Sequence, residues 1–334
     1  MPQDCSTIGV ADVAHRVACC DNSGLVDSGH GLAVNLAPAR EHGLWLRNPV
    51  MPASGTFGYG VEYGDLVPIH RLGAVVTKGI STEPWQGNPQ PRLWETASGL
   101  LNSIGLENIG AAVAIAEKAP VWAGWDTPVI VNIVGRTIAE YVAVARMLDD
   151  VAGVSALEVN ISCPNIAEGG LEFGTSPDLA ATVTASVRRV TELPVIVKLS
   201  PNVTDITAIA AAVVAAGADA LCVINTLRGT AIDVQKRGFR LGRQAGGLSG
   251  PAIKPVALHM VHRVAHSVTV PIVGCGGISS ADDALEFIMA GATAVQVGTG
   301  TFTDANTMLS VVDGIDDYMR REHLLSLADI RGIL

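Results

Sequence analysis

A thiol set among amides marks the stretch ALEVNISCPN, residues 156–165. Leu157, Val159 and Ile161 alternate with Glu158 and Asn160, which is the period of a strand. Pro164 ends the ladder directly after Cys163, so the thiol falls where strand gives way to loop. In parallel α/β folds that edge carries the chemistry. A cysteine that merely packs serves as a small hydrophobe and asks for no amides. Here Asn160 and Asn165 flank it and Gly169-Gly170 follow, the composition of a polar site beside a movable loop.

Other strand ends add to the same inventory. Apolar runs terminate at Ser54, Thr77-Lys78, Asn132, Asn160, Lys198, Asn225-Thr226, Gly276-Gly277 and Gly298-Thr299. Amides, hydroxyls, two lysines and glycines with almost no carboxylates suit a planar, hydrogen-bonding, partly anionic ligand, and offer little to a divalent metal. GCGGIS (274–279) and QVGTGTF (296–302) follow the seventh and eighth runs, where barrels bind phosphate through glycine N–H groups and a helix N-terminus. Gly250, in GGLSGPAIKP, adds a further N–H to that anion site. Lys198 is the lone charge in PVIVKLS and must point into the barrel mouth or be paired within it. A cation there stabilises negative charge on a ring such as a reduced flavin.

The elements that position these groups repeat. Eight β-branched runs (49–54, 74–78, 129–133, 157–161, 195–198, 221–225, 272–276 and 294–298) alternate with helical stretches, among them 138–149, 178–192, 206–216, 253–266 and 281–290. Continuous apolar strands separated by amphipathic helices mean a parallel sheet covered on its outer face. Eight units predict a closed (β/α)₈ TIM barrel with its site at the strand C-terminal ends. An open doubly wound sheet is disfavoured, because the first strand lacks a GxGxxG turn. Two connections are long enough to wall a site, 81–125 and 225–251, both rich in Gly, Asn and Arg. Leu32–Leu36 and Leu44–Leu46 predict a small hairpin ahead of the barrel.

The chain has 334 residues, 49% hydrophobic and 16% charged, which suits a large core rather than disorder. A net charge of −10 argues against nucleic acid as partner. The six cysteines form no CxxC pair, and a reduced, cytoplasmic setting is expected. No apolar run approaches membrane-spanning length, and the start of the chain does not read as a secretory leader. Residues 1–30 predict a weakly ordered extension ahead of a barrel spanning 31–334; Cys5, His15, Cys19 and Cys20 lack finger-type zinc spacing.

Taken together, NPVMPASGTFG, VVTKGIS, NSIGLEN, VNISCPN with its following GG and FGTSP, VIVKLSPN, VINT, GGLSGPAIKP, VGCGGI and VQVGTG resemble the class 1 dihydroorotate dehydrogenases, in order and from Leu32 to the C-terminus. A cysteine where class 2 enzymes carry a serine base, and no membrane-binding N-terminal helix, separate the chain from that class. GLSGPAIKP and EVNISCPN resemble subclass 1B, the NAD-linked form, and the fumarate-linked homodimers of subclass 1A are the alternative. The resemblance implies an FMN barrel oxidising (S)-dihydroorotate to orotate in pyrimidine biosynthesis. It implies Cys163 as general base, in polar, reachable surroundings that populate its thiolate. Ser54, Gly79, Asn132, Lys198, Ile224, Gly250, Gly276, Gly277, Gly298 and Thr299 match FMN contacts. Lys78 and Asn160 match residues that touch flavin and substrate. Asn102, Ser103, Ile104, Gly105, Leu106, Asn225 and Thr226 match the orotate cradle, with Asn165 as an additional amide; Gly169-Gly170 match the hinge of a lid. Subclass 1B also implies a homodimer flanked by two partner subunits that carry FAD and a 2Fe–2S cluster, since this chain has neither a cluster-type cysteine run nor a dinucleotide fingerprint.

Overall fold

A computed structural model describes residues 31–162, 164–165 and 171–334, with the backbone alone for Pro164, Asn165 and Leu171. Cys163, the Asn165 side chain, Gly169-Gly170 and the extension 1–30 therefore lie outside the described residues.

Each predicted run forms a strand, and each is buried because helices cover one face and the barrel interior the other. The strands are β1 (Val50–Pro52), β2 (Val75–Val76), β3 (Val129–Ile133), β4 (Ala156–Asn160), β5 (Val195–Leu199), β6 (Ala220–Val223), β7 (Ile272–Cys275) and β8 (Ala294–Val297). They pair in parallel in the order β1-β8-β7-β6-β5-β4-β3-β2. The seam between the two ends, β1 and β2, is closed by the Gly73 N–H donating to the Val50 carbonyl at 2.8 Å. That closure needs a glycine, because a Cβ at position 73 would lie 2.1 Å from the Asn48 carbonyl oxygen. The result is a (β/α)₈ barrel.

The helices that sheathe it include α1 (Ile138–Leu148), α2 (Pro177–Arg188), α3 (Ile206–Ala215), α4 (Lys254–Ala265), α5 (Ala281–Met289) and α6 (Thr307–Arg321). Their starts are set by the sequence. Thr137, Ser176 and Asp205 cap α1, α2 and α3 by accepting a backbone N–H, and Ser280 with Asp283 forms a capping box on α5. The small hairpin is present as Val34–Asn35 against Trp45–Leu46.

The two long connections do not stand apart as separate loops. Leu93–Thr96 and Gly99–Asn102 from the first form an antiparallel sheet with Leu227–Gly229 and Gly246–Ser249 from the second. This four-stranded sheet sits over the strand C-terminal ends and walls one side of the mouth.

Candidate active site

Pleating sends alternate side chains of each strand into the barrel. Asn132 on β3, Glu158 and Asn160 on β4, Lys198 on β5, Cys222 on β6 and Gln296 on β8 share the inward parity, and all are buried. Together they make a polar layer under a cavity of about 760 Å³ that opens among the strand C-terminal ends. That volume lies within the range of pockets that enclose a cofactor or drug-sized ligand.

Every site residue expected from sequence lines this cavity except Cys163 and Asn165, whose side chains lie outside the described residues. The floor is built around Lys198. Its Nζ donates to Ser54 Oγ at 3.3 Å and to Gln296 Oε1 at 3.2 Å, and stands 3.9 Å from Glu158 Oε1. The two readings of this lysine left open by sequence thus merge: it faces the mouth and is also paired. Burial opposes its charge, but the electrostatics of Cys222, Cys275 and Glu158 outweigh burial and raise its pKa. Burial pushes the Cys222 thiol well above its ordinary value. Cys275, on the cavity wall, is lowered to about 7 by its side-chain interaction with the neighbouring Cys222 and by the charge of Lys198, against its burial.

Glu158 was read from sequence only as the polar member of an alternating strand. It lies fully buried, takes Asn132 Nδ2 at 2.7 Å and Gln296 Nε2 at 2.6 Å, and supplies the carboxylate the strand-end inventory lacked. Its parity with Asn160 was the available signal; Gln296, just before the Gly298-Thr299 turn, carried the same one.

Above this floor the Asn160 Oδ1 accepts from the Ser162 N–H at 3.1 Å and from Asn225 Nδ2 at 3.2 Å, while Tyr141 Oη fixes the Asn160 carbonyl at 2.6 Å. Asn225 Nδ2 also reaches Ser162 Oγ at 3.0 Å, and its Oδ1 accepts the Thr226 N–H at 2.8 Å. Lys78 stands 3.8 Å from Glu107, whose same oxygen takes Arg92 at 2.9 Å. Ser103 is held by the Arg92 carbonyl and Asn88, which places the turn through Ile104, Gly105 and Leu106 along the wall. Glu107, Arg92, Trp85, Arg136, Glu172 and Arg228 were not singled out from sequence. They come from the long connections or the strand-end loops, where spacing carries no signal for an ion pair formed at a distance.

On the opposite side the glycine turns after β7 and β8 face the cavity with Gly250. The backbone N–H groups of Gly276, Gly277, Gly298 and Thr299 have no acceptor among the described residues. These residues are half-buried at one wall of the cavity, and convergent backbone N–H groups of this kind suit an anion such as a phosphate. The buried cation beneath suits a ring that gains electron density. Residues on both walls therefore fit a phosphorylated planar cofactor. Among the described residues no cluster of His, Cys, Asp and Glu suits a metal ion.

Comparison with known proteins gives this geometry a family. The chain is 54% identical over 292 residues to a protein of Geotalea daltonii, covering 87% of this chain and 96% of the relative. It is 53% identical over 303 residues to one of Pelobacter propionicus, and 52% identical over 303 residues to one of Alkaliphilus metalliredigens, covering 91% of this chain and 98% of the relative in both cases. All three are named dihydroorotate dehydrogenase B (NAD(+)), catalytic subunit, and the fumarate-linked alternative finds no support among them. The family model for dihydroorotate dehydrogenase matches residues 39–319, from the first hairpin through most of α6 and so across the whole barrel; the chain belongs to the dihydroorotate dehydrogenase family.

Proposed function

We propose that this chain oxidises (S)-dihydroorotate to orotate in pyrimidine biosynthesis, as the FMN-bearing catalytic subunit of an NAD-linked dihydroorotate dehydrogenase. The observation that carries the reading is the Lys198 ammonium, buried in the cavity floor and held by Ser54 and Gln296 beneath a wall of acceptor-free glycine amides. A fixed cation in a water-poor site stabilises developing negative charge far better than one in bulk water.

In this reading Gly276, Gly277, Gly298 and Thr299, with Gly250, hold the FMN phosphate. Ser54, Gly79, Asn132, Lys198 and Ile224 border its ring. FMN, when bound, supplies the acceptor for the hydride that leaves substrate C6. Cys163 takes the C5 proton as its thiolate, and the C5–C6 bond becomes double, so two electrons leave with the hydride and one proton stays on sulfur. Lys78 and Asn160 stand between ring and substrate. Asn102 to Leu106, Asn165, Asn225 and Thr226 hold the substrate's polar edge, the Asn160–Asn225–Ser162 network fixing the last pair.

The name of the relatives, catalytic subunit, implies a partner subunit. We assign FAD and the 2Fe–2S cluster to it and NAD⁺ as the terminal acceptor, in a heterotetramer built on a homodimer of this chain. We assign the enzyme to the cytoplasm; among the described residues no helix is long and apolar enough to cross a membrane. The barrel is assigned to 31–334 and residues 1–30 to an N-terminal extension.

An anaerobic absorbance titration tests the reading. Protein loaded with FMN is expected to bleach with dihydroorotate, and Cys163→Ser to bleach about 100-fold or more slowly at pH 7 while gaining rate as pH rises, because a hydroxyl is a far poorer base. A flavin that stays yellow with excess dihydroorotate refutes the assignment.

A further inference from the structure

Glu158 has no part in the mechanism above, yet it is the centre of the buried polar layer. It lies on β4 directly opposite Asn132 of β3 in the strand register, and also meets Gln296 on β8. In the strand order β4 and β8 are four places apart in either direction, so this carboxylate spans the barrel from wall to wall.

Chemistry then dictates the orientation of its neighbours. An ionised carboxylate only accepts, so both amides must turn their NH₂ groups toward it. For Gln296 that leaves Oε1 to accept from Lys198 Nζ at 3.2 Å and from the Cys222 thiol at 3.3 Å. For Asn132 it turns Oδ1 toward Gly79, where a built Cβ would come within 2.9 Å of that oxygen. Both Asn132 and Gly79 line the cavity. Without the carboxylate either amide can rotate, and Asn132 can present a donor where it now presents an acceptor. The second consequence is electrostatic. Glu158 stands 3.9 Å from Lys198 and offsets its charge, so the floor is a compensated pair rather than a bare cation.

We propose that Glu158 is a positioning residue for the flavin: it locks Asn132 with its carbonyl toward the bound ring and, by partly offsetting Lys198, holds down the affinity of the site for the reduced, more negative form. The inference rests on the flavin reading above and deepens it.

The test uses holoenzyme of wild type, Glu158→Gln and Glu158→Asp, each read by FMN dissociation constant and by spectroelectrochemical midpoint potential. Glu158→Gln keeps the shape and removes the charge. It is expected to raise the ratio of reduced to oxidised FMN affinity about tenfold, an upward shift of about 30 mV for a two-electron couple, and to weaken oxidised FMN about tenfold. Glu158→Asp keeps the charge but falls one methylene short of holding both amides. It is expected to leave the potential within a few millivolts of wild type and to weaken FMN about tenfold, an arm that stands if Glu158→Gln does not fold. A Gln variant with wild-type potential and affinity, or an Asp variant with wild-type affinity, overturns the proposal. A merely structural residue would lower thermal stability without moving the potential. Wild-type protein that takes up no FMN would instead overturn the functional reading, before any variant is compared.

Discussion

Asn102 and Gly247, 145 residues apart in the chain, stand opposite each other in an antiparallel pair, with Asn102 Nδ2 donating to the Gly247 carbonyl at 3.2 Å. This contact joins the two long excursions into one sheet over the barrel mouth. It also brings Asn102 and Thr226, both expected to hold substrate, to one wall of the cavity.

Gly247→Ala tests that wall. A Cβ there would lie 2.0 Å from Thr226 Oγ1, so the threonine or the strand must move. Overpacking of this kind costs about 1–3 kcal/mol. The expected outcome is a KM for dihydroorotate raised about tenfold, the equivalent of about 1.4 kcal/mol, with FMN content unchanged. Steady-state kinetics beside the flavin absorbance ratio check it.

Lys198→Met removes the cation and leaves Glu158 buried with amide donors alone. Breaking a buried pair on one side costs about 3–5 kcal/mol, so thermal unfolding should shift down sharply. The pH dependence follows from the raised pKa of the lysine. A group whose folded pKa is raised stabilises fully below its unfolded value, here 10.5, and loses that contribution only as pH climbs through the higher folded value. The difference in stability between wild type and Lys198→Met should therefore stay flat from neutral pH up to about 10.5 and shrink above it as pH rises toward the folded value, as chemical denaturation at a series of pH values would show.

Cys275 is expected to behave in the opposite sense. Its pKa is lowered to about 7 from 9.0, so its contribution to stability is complete above 9.0 and fades as pH falls through about 7. In FMN-free protein, alkylation at this position should rise through about pH 7. FMN should protect it, since Cys275 lines the cavity. Peptide mapping by mass spectrometry after iodoacetamide treatment separates this thiol from the others.

Gly73→Ala probes the barrel seam. The added methyl collides with the Asn48 carbonyl at 2.1 Å, and relief requires parting the ends of the sheet where the Gly73 N–H meets the Val50 carbonyl. A loss of about 2–4 kcal/mol in urea unfolding is expected.

Much of this molecule was legible in local pattern. Runs such as VIVNI and VIVKL can only be strands buried on both faces, and the residues that end them fall on one rim because parallel strands all point the same way. That is why Ser54, Lys78, Asn132, Asn160, Lys198, Asn225 and the paired glycines were assigned to one mouth, and why all of them line a single cavity. Closure of the cylinder decided the rest. Glu158 and Gln296 are 138 residues apart and touch only because β4 and β8 face each other across the completed barrel. The excursions reading as separate loops become one sheet only when Asn102 meets Gly247. Periodicity reports which face a side chain takes, since it arises from backbone geometry within a few residues. Which partner waits on that face is set by contacts between distant segments, and those exist only once the chain has folded.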